Sequence, residues 1–222
     1  MNEAISAARP VDRAGWDRVL LAGGVLAGPM WVTVALAQGL TREGFDFRRH
    51  PVSVLSNGDL GWLQIGNFIA AGLLCVGAAV ALRRARYPRL GPRSGPWLIG
   101  QYGIGLVLAG VFVADPLDGF PAGTPAGPGE VSWHGVAHFG AGVVAFTALI
   151  AVCLVAGRRF SREGERGWAA YSVATGLFFA TAWLALIGSG GHPAAMIGFA
   201  LAVVAGWAWV SVTLNRTLRG AP

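Results

Sequence analysis

Lysine is absent from this sequence of 222 residues, and charged residues of all kinds make up only 13% of it. Soluble domains carry about 25% charged residues, so an ordinary soluble domain is excluded. Cysteine occurs only at Cys75 and Cys153, both within apolar stretches, which favours two buried small side chains over a disulfide. The sequence has no Walker loop, GxSxG, CxxC or HExxH motif, and no GxGxxG motif after a strand, so the familiar signatures of nucleotide binding and hydrolysis are missing.

Apolar residues dominate instead: they make up 54% of the chain, and the mean hydropathy is +0.55. About 20 residues of helix cross the roughly 30 Å hydrocarbon core of a bilayer. Six stretches approach or reach this length, at residues 19–40, 61–82, 97–113, 134–156, 167–187 and 193–214. The sequence therefore predicts an all-α membrane protein, a single bundle of six transmembrane helices over residues 19–214. Residues 1–18 and 215–222 are then short tails.

The basic residues predict the orientation of this bundle. All seventeen are arginine. Fourteen fall on one side of a six-span arrangement, in the two tails, the loop between spans two and three, and the loop between spans four and five; only Arg42, Arg48 and Arg49 fall on the other side. The positive-inside rule places both termini in the cytoplasm. The high pI thus reflects membrane topology and not nucleic-acid binding. Abundant Ala, Gly and Arg with no Lys indicate a GC-rich bacterial genome, hence a bacterial plasma membrane.

The first two spans each carry an unusual feature, a signal-peptidase-like site in the first and two amide side chains in the second. Ala35, Leu36 and Ala37 resemble a signal-peptidase site, but the apolar run before them is long and is interrupted by Gly28-Pro29, which favours a retained first helix. Gln64 and Asn67 lie three residues apart in the second span, on one helix face. Because amide groups are costly in lipid, we expect them to face the bundle interior.

All four histidines fall on the predicted outer side: His50, His134, His138 and His192. His134 and His138 are four residues apart at the start of the fourth span, so a helix projects them from one face. Asp115 ends the third span just before a proline. We expect these polar groups to converge at the outer face.

This pattern is compatible with several kinds of site. An HxxxH pair supplies two ligands for zinc, and a catalytic zinc site needs about three; His192, Asp115 or His50 can supply the third. A zinc-bound water, with a spare carboxylate as general base, would make a hydrolase. The alternatives are a hydrogen-bonded polar cluster without metal and a proton relay. Haem is disfavoured because two axial histidines need opposing helices.

The sequence therefore leaves two classes of function open. One is a metal-dependent hydrolase acting on a lipid or other amphiphile at the outer leaflet. The other is a non-catalytic structural or accessory membrane protein. A transporter is disfavoured because the middles of the spans carry no charge. The sequence predicts no oligomeric state.

Several short motifs resemble a known family when taken in order. These are Ser53-Val54-Leu55 followed by Gly61-Trp62, Asn67-Phe68 in the second span, Asp115-Pro116, and the His134–His138 pair. They resemble the bacterial membrane family catalogued as domain of unknown function 998, over roughly residues 20–213. The resemblance implies membrane location and architecture, since the family has no agreed activity.

A more distant similarity is to the seven-span hydrolases that include alkaline ceramidases and adiponectin-type receptors. Those proteins use a serine, an aspartate and three histidines around zinc. By residue type, the analogy implies Ser53 and Asp115 as catalytic residues. It implies His134, His138 and His192 as metal ligands. The span count and the motif order differ from those of that superfamily.

Overall fold

A computed structural model describes residues 13–84, 90 and 93–220, and most of these residues are helical. The six α-helices are α1 (Arg13–Thr41), α2 (Gly61–Arg84), α3 (Ser94–Val111), α4 (Trp133–Arg162), α5 (Arg166–Gly188) and α6 (Pro193–Arg219). A short 3-10 helix, Val52–Ser56, lies between α1 and α2. No β-strand occurs in the described ranges, so the all-α prediction is confirmed.

The helices begin and end close to the predicted spans at one end and run beyond them at the other. α4 continues to Arg162 where the apolar stretch stops at residue 156, and α6 continues to Arg219 instead of 214. Hydropathy falls at the first arginines, but backbone hydrogen bonding does not depend on side-chain polarity. Arginines in the last turn also interact favourably with the negative end of the helix dipole.

The helices form a ring in chain order. Each packs against its neighbours in sequence, and α6 packs against α1, which closes the ring. We call the end that carries residues 42–60, 112–132 and 189–192 the histidine end, because all four histidines lie at or near it. The opposite end, which carries residues 90, 93 and 163–165, is the arginine end.

Close helix contacts in this ring depend on small residues. A Cβ atom at Gly72 of α2 would lie 2.6 Å from the carbonyl oxygen of Gly103 in α3, and the converse distance is also 2.6 Å. On its other face, α3 places Gly105 against Ala141 and Ala145 of α4. Lipid offers no hydrophobic drive for helix association, so such backbone approach is how membrane helices gain packing energy. α3 is thereby held tightly between α2 and α4.

The outer surface of the ring is suited to lipid. Five helices, all except α3, are long and apolar enough to cross a membrane. Large apolar side chains are exposed along the helices, for example Leu26, Leu73, Leu177, Leu184 and Leu201. Soluble proteins rarely expose contiguous apolar surface of this extent. The chain is therefore a multi-pass integral membrane protein.

A small folded cap covers the histidine end. Its core is formed by Val54, Leu55 and Phe120, with Phe45, Val52 and Leu117 packed around them. Arg42 holds the cap together: its guanidinium donates hydrogen bonds to the carbonyl oxygens of Leu55 and Asn57, at 2.5 Å each, and lies 4.8 Å above the Phe120 ring. The two long connections, 42–60 and 112–132, are thus joined into one unit.

Candidate functional site

Asp115 binds the N-terminus of α4. Its carboxylate accepts hydrogen bonds from the backbone N–H of Ser132, at 2.9 Å, and from the Ser132 hydroxyl, at 2.5 Å. Ser132 is the N-cap of α4, and its side chain accepts from the N–H of Gly135. A Cβ atom at Gly135 would overlap the Asp115 carboxylate, so glycine is needed there. The carboxylate therefore lies at the positive end of the α4 dipole.

This environment keeps Asp115 ionised. Burial alone would raise the pKa of its carboxyl, but hydrogen bonds from Ser132 and the nearby rings of His134 and His138 together hold that pKa below its ordinary value. At neutral pH, Asp115 is an anion and a hydrogen-bond acceptor.

His134 and His138 bind the C-terminus of α3. His134 Nδ1 lies 3.0 Å from the carbonyl oxygen of Val113 and 3.6 Å from Oδ1 of Asp115. His138 Nδ1 lies 2.9 Å from the carbonyl oxygen of Ala109 and 2.7 Å from that of Phe112. Carbonyl oxygens only accept, so Nδ1 carries the hydrogen in both rings. The pair satisfies carbonyls that the end of a helix leaves without partners, and Nε2 of each ring makes no hydrogen bond with any described residue.

His50 is fully occupied by the cap. Its Nδ1 accepts from the N–H of Asp46, at 3.0 Å, and its Nε2 lies 3.0 Å from the carbonyl oxygen of Asp118. The ring is buried between Phe45 and Phe120. Because both nitrogens have protein partners, His50 is not available as a metal ligand in this arrangement.

The other two predicted site residues have hydrogen-bond partners elsewhere. His192 is exposed at the N-cap of α6, where its Nδ1 accepts from the N–H of Ala194, at 3.3 Å. Ser53 lies in the 3-10 helix, and its carbonyl oxygen accepts from the Ser56 hydroxyl. Neither side chain has a hydrogen bond to Asp115, His134 or His138, all of which lie in the described part of the chain.

These contacts bear on the zinc hypothesis. The structure brings together Asp115, His134 and His138, and the N–H of each ring is fixed by a backbone carbonyl, as is usual for metal-ligating histidines. Within residues 13–84, 90 and 93–220, however, no group of three or more His, Cys, Asp or Glu side chains is placed to hold a metal ion. The described residues therefore do not form a three-ligand zinc site, and metal binding stays a prediction.

Below the cap, the ring of helices encloses a cavity of about 250 Å³. Every helix contributes an aromatic side chain to its wall: Trp31, Phe68, Tyr102, Phe146, Trp183 and Trp207. His50, Ser53 and His138 line its histidine end. Among its described lining residues there is no Arg, Asp or Glu. The cavity can therefore accept an apolar chain with a small polar group at one end.

Two residues that line the cavity, one on α4 and one on α5, are also half-exposed on the outer surface. Phe139 of α4 is 56% exposed and Ile187 of α5 is 50% exposed, and both also line the cavity. Each lies near the histidine end of its helix. Both side chains therefore lie between the cavity and the outer apolar surface of the ring.

Three buried side-chain amides, those of Gln38, Gln64 and Asn67, lie beside the cavity, between α1 and α2. The Gln38 side-chain amide donates to Oε1 of Gln64, at 2.9 Å, and that of Asn67 donates to the carbonyl oxygen of Trp31, at 3.0 Å. Gln64 is 0% exposed and Asn67 is 5% exposed, so the prediction that both face the bundle interior is confirmed.

A second groove, of about 960 Å³, lies between α2 and α3 at the arginine end. Its lining includes Arg83, Arg93 and Trp97, but none of the histidines.

The cavity is the feature that the sequence did not indicate. Its aromatic residues come from six helices, and along the chain each is indistinguishable from a core or interface residue. The N-cap role of Ser132 had a visible signal, because Ser132 precedes the apolar stretch of α4 and serine is a favoured N-cap.

Comparison with known proteins gives one match. A family model described as "Protein of unknown function (DUF998)" matches residues 25–215. Neither the curated proteins nor the solved structures contain a match. The match covers most of the 222 residues and agrees with the resemblance of the sequence motifs. The chain therefore belongs to the DUF998 family of membrane proteins.

Proposed function

We propose that this protein binds a single-chain lipid or similar amphiphile in the cavity between its helices. The observation that carries the proposal is the cavity itself, lined by aromatic side chains and bounded at one end by His138 and Ser53. Its volume of about 250 Å³ is slightly below the range of about 300–1,000 Å³ that is typical of ligand sites. This favours one hydrocarbon chain over two.

The ligand enters from the bilayer under this proposal. Phe139 and Ile187 border the cavity and are also half-exposed on the lipid-facing surface. The cap closes the histidine end with Val54, Leu55 and Phe120, all of which are buried. A route between α4 and α5 avoids transfer of the chain through water.

Two glycines of α4 supply a matched test. Gly142 lines the cavity, and a Cβ atom there would make only an ordinary 3.6 Å contact with Phe146. Gly140 is exposed, with no described atom within 4 Å of such a Cβ. A photoactivatable single-chain probe should crosslink to cavity residues of the wild type and of Gly140→Leu. It should not do so in Gly142→Leu. Equal crosslinking in both variants would mean that the probe sees only the outer surface.

The proposed topology is six spans, with residues 19–214 in the bilayer and both termini in the cytoplasm of a bacterial cell. α3 has 18 residues, which at 1.5 Å each is about 27 Å, close to the thickness of the hydrocarbon core. Its packing between α2 and α4 supports a sixth span. Reporter fusions at residue 222 and in the loop at residues 83–96 should both read cytoplasmic. A periplasmic signal at either position would refute the topology.

A metal-dependent lipid hydrolase is the second candidate, and one observation favours it. The Nδ1 atoms of His134 and His138 are fixed by backbone carbonyls, while Nε2 remains open in each. Ser53 and Asp115 stay candidate catalytic residues, and His192 stays a candidate third ligand that must move to join the pair. Metal analysis of purified protein, beside a His134→Ala/His138→Ala variant, decides the matter. Stoichiometric zinc lost in the variant supports the hydrolase, and no zinc in either supports a non-catalytic protein.

A further inference from the structure

His138 offers the cavity a hydrogen-bond acceptor and no donor. Its Nδ1 hydrogen is directed to the carbonyl oxygens of Ala109 and Phe112. In a neutral imidazole the second nitrogen then has a free lone pair. Nε2 has no hydrogen-bond partner among the described residues, and His138 lines the cavity. A ligand group that reaches it must therefore carry a hydrogen to donate.

Every arginine of the histidine end already has a protein partner. Arg42 binds the Leu55 and Asn57 carbonyls, Arg48 pairs with Asp46, and Arg49 pairs with Asp118. Asp115, whose Oδ1 lies 3.6 Å from Nδ1 of His134, is an anion. A carboxylate or phosphate head group would be desolvated there without a counter-charge, which is costly.

Given the proposed function of the cavity, we propose that its ligand is an uncharged single-chain alcohol whose hydroxyl donates a hydrogen bond to Nε2 of His138. The Ser53 side chain also lines this end. The chain extends past Phe68 and Phe146 toward Tyr102 and Trp207, where the lining is aromatic. The chemical class is that of long-chain or isoprenoid alcohols and monoacylglycerols.

The test uses full-length protein in lipid nanodiscs with tritiated hexadecan-1-ol as the probe. Two competitors share its chain. Hexadecyl methyl ether can accept but not donate, and hexadecanoate at pH 8 is an anion. We expect the unlabelled alcohol to compete about tenfold more strongly than the ether, the ratio for one hydrogen bond, and hexadecanoate to compete least. His138→Leu should abolish the difference between alcohol and ether while keeping affinity for the chain.

The outcomes separate the two proposals. Binding of alcohol, ether and carboxylate with equal affinity, lost in Gly142→Leu, would overturn the head-group assignment and leave the cavity function intact. Binding of none of the three would overturn both. If His138→Leu does not fold, the wild-type ratio of alcohol to ether still decides, since a ratio near one refutes the hydrogen bond to Nε2.

Discussion

Arg42 is expected to stabilise the cap more than any other charged residue of the histidine end. Its guanidinium makes two hydrogen bonds to carbonyl oxygens of the first long connection and lies over Phe120 of the second. Hydrogen bonds to charged groups contribute about 1.5–3 kcal/mol each, and an exposed cation–π contact contributes about 0.5–1 kcal/mol. Because Arg42 is partly solvated, we expect Arg42→Met to cost about 2–4 kcal/mol of cap stability.

Hydrogen exchange reports this cost directly. The amides of Asn57 and Phe120 are bonded within the cap, to the carbonyl oxygens of Val54 and Leu117. A loss of about 2–4 kcal/mol speeds their exchange roughly 30-fold to several-hundredfold if they exchange by opening of the cap. Arg48→Ala is the control, because Arg48 is 68% exposed and pairs only with Asp46, two residues away. Such pairs contribute about 0–1 kcal/mol. Equal acceleration by both substitutions would refute the bridging role of Arg42.

Two further predictions concern helix packing and pH. Gly72→Leu should lower the melting temperature sharply, because overpacking costs about 1–3 kcal/mol and the new side chain would clash with the backbone of α3. Gly66→Leu on the same helix should leave the melting temperature unchanged, because no described atom lies within 4 Å of a Cβ there. Equal melting temperatures for the two variants would contradict the close α2–α3 contact. The Arg49 side chain lowers the pKa of Asp118 to about 2, below the usual value of about 3.9. The contribution of Asp118 to stability is therefore present above about pH 4 and lost as pH falls through about 2. The Gly127 amide donates to Asp118 Oδ1 at 2.8 Å, so its NMR signal should titrate with a midpoint near pH 2. Arg49→Ala should raise this midpoint toward about pH 4. A wild-type midpoint near about pH 4 would contradict the Arg49–Asp118 ion pair.

The helices could be predicted because each depends on local information. A stretch of about 20 apolar residues must form its own backbone hydrogen bonds in lipid, so hydropathy alone locates it. The ends were less predictable: α1 begins at Arg13 and not at residue 19, because a helix continues into the interface after the apolar run stops. α3 was the hardest helix to predict from the sequence, because its Gly-rich sequence is short and its place in the ring depends on contacts with α2 and α4.

The site could be predicted only in part, for a physical reason. Sequence spacing fixes what one helix presents, so it predicted the common face of His134 and His138. The approach of Asp115 to His134 was expected instead from the topology, which places the end of α3 and the start of α4 at the same face. Sequence spacing does not fix what the partners of those groups are. His50 was a candidate ligand by residue type, yet both of its nitrogens are used by Asp46 and Asp118. His192 has only a local partner, at the start of α6.

The junction of α3 and α4 explains why polar groups can lie so close to an apolar cavity. Asp115, which follows α3, accepts hydrogen bonds from the N–H and the hydroxyl of Ser132 at the start of α4. The histidines of α4 bind the free carbonyls at the end of α3. Each helix end thus satisfies the other, and no charge is needed within the spans. This exchange uses only Nδ1 of His138 and leaves Nε2 for the cavity. The His138 imidazole therefore both binds the end of α3 and supplies the polar contact of the proposed ligand site. Asp115 does not line the cavity, so it stabilises only the junction.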